Sequence, residues 1–302
     1  MKIFEPYNYP YCEFKFTDWN PVQKQVYPYF EQDCNLVISA SVAAGKTAIA
    51  EAIFGYELQE NPNNKVIYVS PLKALGKEKF NDWNKHETFK NFSKVVMSSE
   101  DVVTNEELEN SRMILSTIES LNIKCRKREK WIKQVKVLIF DEAHLFNDEH
   151  RGASAESLLI NISILNPNCR IICLSGTLSN AKEIARWIKN LNQKQTYCIS
   201  SNWRPNKIIQ SIEVADKFYE QEKIIEKICK KNEDEKIIIF VHSKKIGDSL
   251  KEYLKSKGII TAFYKSDLLP KIKNKILEDF KSPYSSLNVL ITTNSLSMGI
   301  NL

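Results

Sequence analysis

The sequence predicts an α/β fold built from two tandem parallel-sheet domains. Three observations carry this expectation. Short apolar runs alternate with helical stretches almost from end to end, the βα pattern of a parallel sheet covered on both faces. Two of these runs, Leu36-Val37-Ile38 and Val137-Leu138-Ile139-Phe140, end in Gly45-Lys46-Thr47 and Asp141-Glu142, where open α/β sheets place ligand chemistry. The alternation then restarts after Ser201-Asn202-Trp203-Arg204-Pro205. A length of 302 residues also suits two domains.

In chain order, strands are expected at 36–40, 65–70, 94–98, 113–116, 136–141, 170–175 and 196–200. Helices are expected at 47–59, 73–85, 153–164 and 180–190. After the restart come strands at 207–213, 236–241, 259–264 and 288–293, with helices at 218–231, 244–257 and 270–280. The boundary falls within 201–206, giving domains of 1–203 and 204–302. The second domain, with four strands, is small for such a fold, and the sequence stops at Leu302 directly after what should be a loop following a strand. It therefore reads as incomplete. An exposed final strand, Val289-Leu290-Ile291-Thr292, would be an aggregation hazard if nothing covered it.

The loop from Ala40 to Thr47 has a mechanical reading as a phosphate cradle. Backbone N–H groups around Ala43, Ala44 and Gly45 would wrap the β-phosphate, and the following helix presents its positive end to it. Lys46 would reach the β and γ oxygens, while Thr47 and Asp141 hold Mg²⁺, Asp141 through water. Glu142 would stand beside the metal and orient or deprotonate the attacking water. ATP and Mg²⁺ are thus the expected cofactors. Two positions depart from the usual pattern: Ala40 replaces its first glycine, and Ala43 stands where glycine is common. If residue 43 needs φ > 0, alanine would strain the loop and weaken nucleotide affinity.

Composition agrees. Apolar residues make up 43% and charged residues 26%, ordinary for a soluble chain, and the net charge of +6 tolerates a polyanionic partner without demanding one. No apolar run reaches the roughly eighteen residues of a membrane span, and the N-terminus lacks a signal-peptide core. A cytoplasmic or nuclear location follows, neither secreted nor in a membrane. The seven cysteines are scattered without a CxxC pair, which favours reduced, mostly buried thiols over zinc.

The order of motifs resembles the superfamily-two helicases, in particular the DExH branch of archaeal DNA repair helicases and exosome RNA helicases. Trp19-Asn20-Pro21-Val22-Gln23 resembles the segment before the first strand. Tyr68-Val69-Ser70-Pro71-Leu72-Lys73-Ala74-Leu75 is similar to "SPLKAL", and Ser98-Ser99-Glu100-Asp101 stands where "TGD" is common. Leu115-Ser116-Thr117-Ile118-Glu119-Ser120-Leu121 resembles "TPEKL", and Asp141 to Gly152 resembles "DExHxLxDxxRG". Ser175-Gly176-Thr177 replaces Ser-Ala-Thr, and 201–205 resembles the "SDWRP" hinge of DNA-unwinding members. In the second domain Phe240-Val241-His242-Ser243-Lys244-Lys245 resembles "FVNSRR", and 292–301 resembles "ATxTLAxGVN". Phe263-Tyr264-Lys265-Ser266-Asp267-Leu268 occupies the place of "HHAGL" without its histidine and glycine. The arginine-finger motif would follow residue 302.

The resemblance implies two RecA-like domains, the second incomplete, that trap ATP in a cleft and step along a single strand. It implies that Gln23 reads adenine, that Gly299 lies at the nucleotide, and that His144, Ser175 and Thr177 relay nucleotide state to the strand groove. Implied strand contacts are Pro71, Leu72, Lys73, Ser98, Ser116, Thr117, His242, Ser243 and Thr293, mostly to phosphates. Ser116-Thr117 also suits a plain helix cap, and the basic run Lys124 to Lys130 suits a solvated helix face as well as a DNA patch. The expected partner is single-stranded or forked nucleic acid, DNA before RNA. The alternatives are an RNA helicase of the same branch and a binding module without turnover. A P-loop kinase or GTPase fits worse, since no NKxD-like base reader appears.

Overall fold

The computed structural model describes residues 4–98, 103–176 and 178–293. The chain divides into two compact units, Met1–Lys207 and Ile208–Leu302.

The first unit opens on an aromatic knot. Trp19 is buried, with Tyr9, Phe14, Phe16 and Phe30 edge-on to it at 5.2–6.1 Å between centroids. Its indole nitrogen donates to the Phe4 carbonyl at 2.8 Å. This knot seats α1 (Pro21–Val26), whose Asn20 and Gln23 form a reciprocal capping box. Then follow β1 (Asn35–Ala40), α2 (Lys46–Glu60), β2 (Lys65–Val69), α3 (Lys73–Lys85), β3 (Lys94–Met97), α4 (Asn105–Asn110) and β4 (Met113–Ser116). The remainder is α5 (Ile118–Arg126), β5 (Val135–Phe140), α6 (Gly152–Leu165), β6 (Arg170–Ser175), α7 (Ala181–Asn192) and β7 (Thr196–Ser201).

The seven strands form one parallel sheet in the order β3-β4-β2-β5-β6-β1-β7. Strands β1, β2, β4 and β6 are buried along their whole length, as expected where helices cover both faces. Because every strand runs the same way, the ends of β1, β2, β4, β5 and β6 share one edge. That edge carries the loops that the sequence reading singled out.

At the opposite edge Arg170 is fully buried at the start of β6. It donates to the carbonyls of Cys34 at 2.7 Å, Phe30 at 3.0 Å and Tyr29, and lies 3.5 Å from the buried Glu57 carboxylate of α2. Burial alone would raise the Glu57 pKa, and it does so despite the guanidinium.

The second unit contains α8 (Phe218–Lys231), β8 (Ile237–Phe240), α9 (Lys244–Ser256), β9 (Thr261–Tyr264), α10 (Pro270–Lys281) and β10 (Val289–Thr292). Its parallel sheet has the order β8-β10-β9. Two sequence expectations are corrected here. Residues 207–213 form no strand: Ile209 and Ile212 are 87% and 90% exposed, so the apolar run has no ladder partner. Val289 to Thr292 is the central, buried strand rather than an exposed edge. Among the described residues all seven cysteines are free and six are buried. No described helix is long and apolar enough to cross a membrane.

Candidate nucleotide and strand site

The loop read from the sequence as a phosphate cradle lies between β1 and α2. Gly45 is the N-cap of α2 in a left-handed conformation (φ 73), and no side chain caps the helix. The first turn of this 15-residue helix also lacks an acidic residue, so its N–H groups and positive end suit an anion. A Cβ at position 45 would lie 2.4 Å from Gln23 Nε2 and would sit at a strained φ of 73, so a larger residue would have to displace the Gln23 amide. The loop is braced from α1. Asn20 Nδ2 donates to the Ala44 carbonyl at 3.0 Å, and Gln23 Nε2 to the Gly45 carbonyl at 3.3 Å. Gln23 Oε1 accepts from Asn20 N at 3.0 Å, so the carboxamide of this buried residue is engaged at both ends.

Ala43 sits at φ 63. The left-handed strain that the sequence reading made conditional is present at this alanine, and it is a cost to the folded state. Ala43→Gly is expected to raise the unfolding free energy by about 0.5–1 kcal/mol with little change in nucleotide affinity. A denaturation midpoint that does not rise would contradict this.

Lys46 Nζ donates to the carbonyls of Ala40 at 2.9 Å and Ser41 at 3.0 Å. Burial lowers its pKa, while Glu142 and Asp141 act in the opposite sense. The lysine and the acidic pair therefore share one electrostatic environment although β6 lies between their strands. Ser39 Oγ donates to the Gly176 carbonyl at 3.1 Å and accepts from Leu178 N at 3.0 Å, tying β1 to the loop after β6. Among the described residues the buried Ser175 hydroxyl has no hydrogen-bond partner. Thr177 and Gly299 lie outside the described residues.

Asp141 follows β5, its N–H bonded to the Val69 carbonyl at 2.9 Å. Its Oδ1 accepts from Glu142 N at 3.0 Å, and its Oδ2 from the Tyr68 hydroxyl at 2.5 Å. Burial raises the Asp141 pKa, and the Tyr68 bond opposes that rise. Glu142 occupies a left-handed position (φ 57), with Oε2 3.1 Å from His144 Nδ1. The bond to His144 holds Glu142 below its ordinary pKa, and the same bond raises that of His144. The Thr47 hydroxyl accepts from Lys79 Nζ at 3.3 Å. Hydroxyl and carboxylate oxygens are the hard donors that suit Mg²⁺, and the uncapped helix with Lys46 suits a phosphate chain.

Tyr68 was visible in the sequence only as a strand residue. Its one signal is chemical: a tyrosine buried on a Val/Ile strand must find a partner for its hydroxyl. Tyr68→Phe is expected to weaken metal affinity about 10–100-fold. The carboxylate would also protonate at higher pH, so metal binding would fail earlier on acidification. Unchanged metal affinity and pH dependence would contradict this role.

The expected strand contacts of the first unit meet on one shelf, because β3, β4 and β2 are neighbours. Ser70 N donates to the Ser116 carbonyl at 2.9 Å, and Thr117 N to the Met97 carbonyl at 3.2 Å, joining the three loops. Pro71, Leu72 and Lys73 follow β2, Ser98 follows β3, and Ser116 and Thr117 end β4. Thr117 is also the N-cap of α5, its hydroxyl accepting from Ser120 N at 3.4 Å. Ser98 and Ser116 are buried. Arg126, Lys127, Arg128 and Lys130 are exposed just before β5 begins, away from this shelf.

In the second unit His242 and Ser243 follow β8, and Thr293 follows β10, at adjacent strand ends joined by Val241 N to the Thr292 carbonyl at 2.8 Å. His242 is exposed, and Ser243 caps α9 by accepting from Ile246 N at 3.3 Å.

The sequence matches the DEAD/DEAH box helicase family over residues 20–184 and the helicase conserved C-terminal domain over 220–302. It is 35% identical over 207 residues to the ATP-dependent DNA helicase Hel308 of Methanococcus vannielii, covering 66% of this chain and 26% of that protein. It is 31% identical over 201 residues to activating signal cointegrator 1 complex subunit 3 of Gallus gallus, covering 64% of this chain and 9% of that protein. The chain thus spans about a quarter or less of these relatives. The fold is similar to the DUF1998 helicase MrfA bound to DNA and AMPPNP (TM-score 0.74, 17% identity, 95% of this chain and 43% of that one). It is also similar to Saccharomyces cerevisiae Dbp5 bound to RNA and ADP BeF3 (TM-score 0.69, 19% identity, 95% of this chain and 73% of that one).

Proposed function

The chain belongs to the DEAD/DEAH box helicase family, and on that premise we propose that it carries the motor elements of an ATP-dependent nucleic-acid helicase or translocase acting on DNA. The observation that carries this reading is the shared sheet edge. The phosphate loop after β1, the acidic pair after β5 and the three-loop shelf after β2, β3 and β4 stand side by side on one rigid sheet.

In this reading the N–H groups of 43–46 and the Lys46 ammonium bind the phosphates of ATP. Thr47 and Asp141 hold Mg²⁺, which when bound neutralises charge on the phosphates. Glu142, kept ionised by His144, orients water and accepts its proton. Ser39 ties β1 to the loop after β6, Ser175 and Thr177 relay the nucleotide state to the strand groove, and the shelf grips phosphates without reading bases. Domains of 1–203 and 204–302 would be the two motor units.

DNA is favoured over RNA by the Ser201-Asn202-Trp203-Arg204-Pro205 hinge and by the named activity of the Hel308 relative. Equilibrium binding of labelled single strands of equal length at one salt concentration tests this. Tighter DNA binding is expected, and tighter RNA binding would move the reading to RNA. A binding module without turnover is the competing reading, favoured by the segment Phe263 to Leu268, which lacks the histidine and glycine of its family counterpart.

A further inference from the structure

Helix α3 touches Thr47 directly and Asp141 through Tyr68, the two oxygen donors read as the metal site. Lys73, the first residue of α3, belongs to the Pro71-Leu72-Lys73 loop of the strand shelf. Further along the same helix, Lys79 Nζ donates to Thr47 Oγ1 at 3.3 Å. Trp83 then donates its indole N–H to Glu51 Oε1 at 2.9 Å and packs edge-on to Tyr68 at 5.4 Å between centroids. Tyr68 in turn holds Asp141 at 2.5 Å. Sequence motifs place the 71–73 loop with nucleic acid and Thr47 with nucleotide. The helix joins the two.

The Lys79 contact has a consequence for charge. A hydroxyl lone pair that accepts from an ammonium is not free for a metal, and a divalent cation on the same oxygen would meet a like charge at close range. The Glu51 carboxylate, one helical turn along α2, also feels the Lys79 charge and offers the ammonium another place to rest. Displacement of α3 would therefore allow Lys79 to exchange Thr47 for Glu51 as its partner.

We propose that Lys79 is a positioning residue that opposes divalent metal at Thr47, and that α3 withdraws it when a nucleic-acid strand occupies the 71–73 loop. This makes metal loading, and with it ATP turnover, dependent on the strand. It rests on the reading of Thr47 and Asp141 as the Mg²⁺ site.

The test is the Mg²⁺ dependence of binding of a fluorescent ATP analogue, read without turnover, in wild type, Lys79→Met and Lys79→Gln. Without oligonucleotide, the Mg²⁺ midpoint is expected to fall about tenfold in both variants, as removal of one nearby positive charge requires. Single-stranded DNA is expected to lower the midpoint in wild type and leave it unchanged in the variants. Equal midpoints in all three proteins, or higher ones in the variants, would overturn the proposal while leaving the site intact. Wild type showing no Mg²⁺-dependent nucleotide binding would overturn the site reading and the proposal together.

Discussion

Glu142→Gln is expected to bind ATP normally and to lose hydrolysis by about 10²–10⁴-fold, the usual contribution of a positioned general base. The substitution keeps the side-chain shape at a left-handed turn but removes the proton acceptor. Glu142 is suited to that role because His144 at 3.1 Å keeps it ionised, whereas burial pushes its neighbour Asp141 the other way. The two adjacent carboxylates thus sit in different environments, one bonded to His144 and the other to Tyr68. Single-turnover hydrolysis beside nucleotide binding measures both arms. Wild-type turnover in Glu142→Gln would remove Glu142 from the chemistry.

Arg170→Ala is expected to cost about 3–5 kcal/mol of stability without touching the nucleotide edge of the sheet. The guanidinium satisfies three carbonyls from the turn before β1 and faces the Glu57 carboxylate, all away from water. Truncation would leave those acceptors unpaired and a buried acid uncompensated. Urea denaturation reads the loss directly. A change below about 1 kcal/mol would mean that water or rearrangement replaces the arginine.

Much of this was legible in the sequence. The seven strands of the first sheet were expected within a residue or so, because buried parallel strands are near-continuous apolar runs and the loops between them carry recognisable chemistry. Helix 73–85 was expected at its observed bounds. The failures have one cause. An apolar run at 207–213 and another at 289–292 look alike in sequence, yet the first has no partner and the second has one on each side. Strand pairing is a property of the whole sheet, and periodicity does not report it. For the same reason the sequence shows Tyr68, Lys79 and Trp83 as a strand tyrosine and two helix residues. Their bonds to Asp141, Thr47 and Glu51 arise only when β2, β5, α2 and α3 come together.

The central claim is that this sheet edge forms a nucleic-acid-dependent ATPase. Steady-state ATP hydrolysis, read beside ATP binding, by the 302-residue chain alone, with single-stranded DNA and with single-stranded RNA, tests it most directly, with Lys46→Ala as control. ATP binding that disappears in Lys46→Ala, with any hydrolysis rising with DNA, is the expected result. Hydrolysis that ignores both polymers, or that persists in Lys46→Ala, would contradict the account.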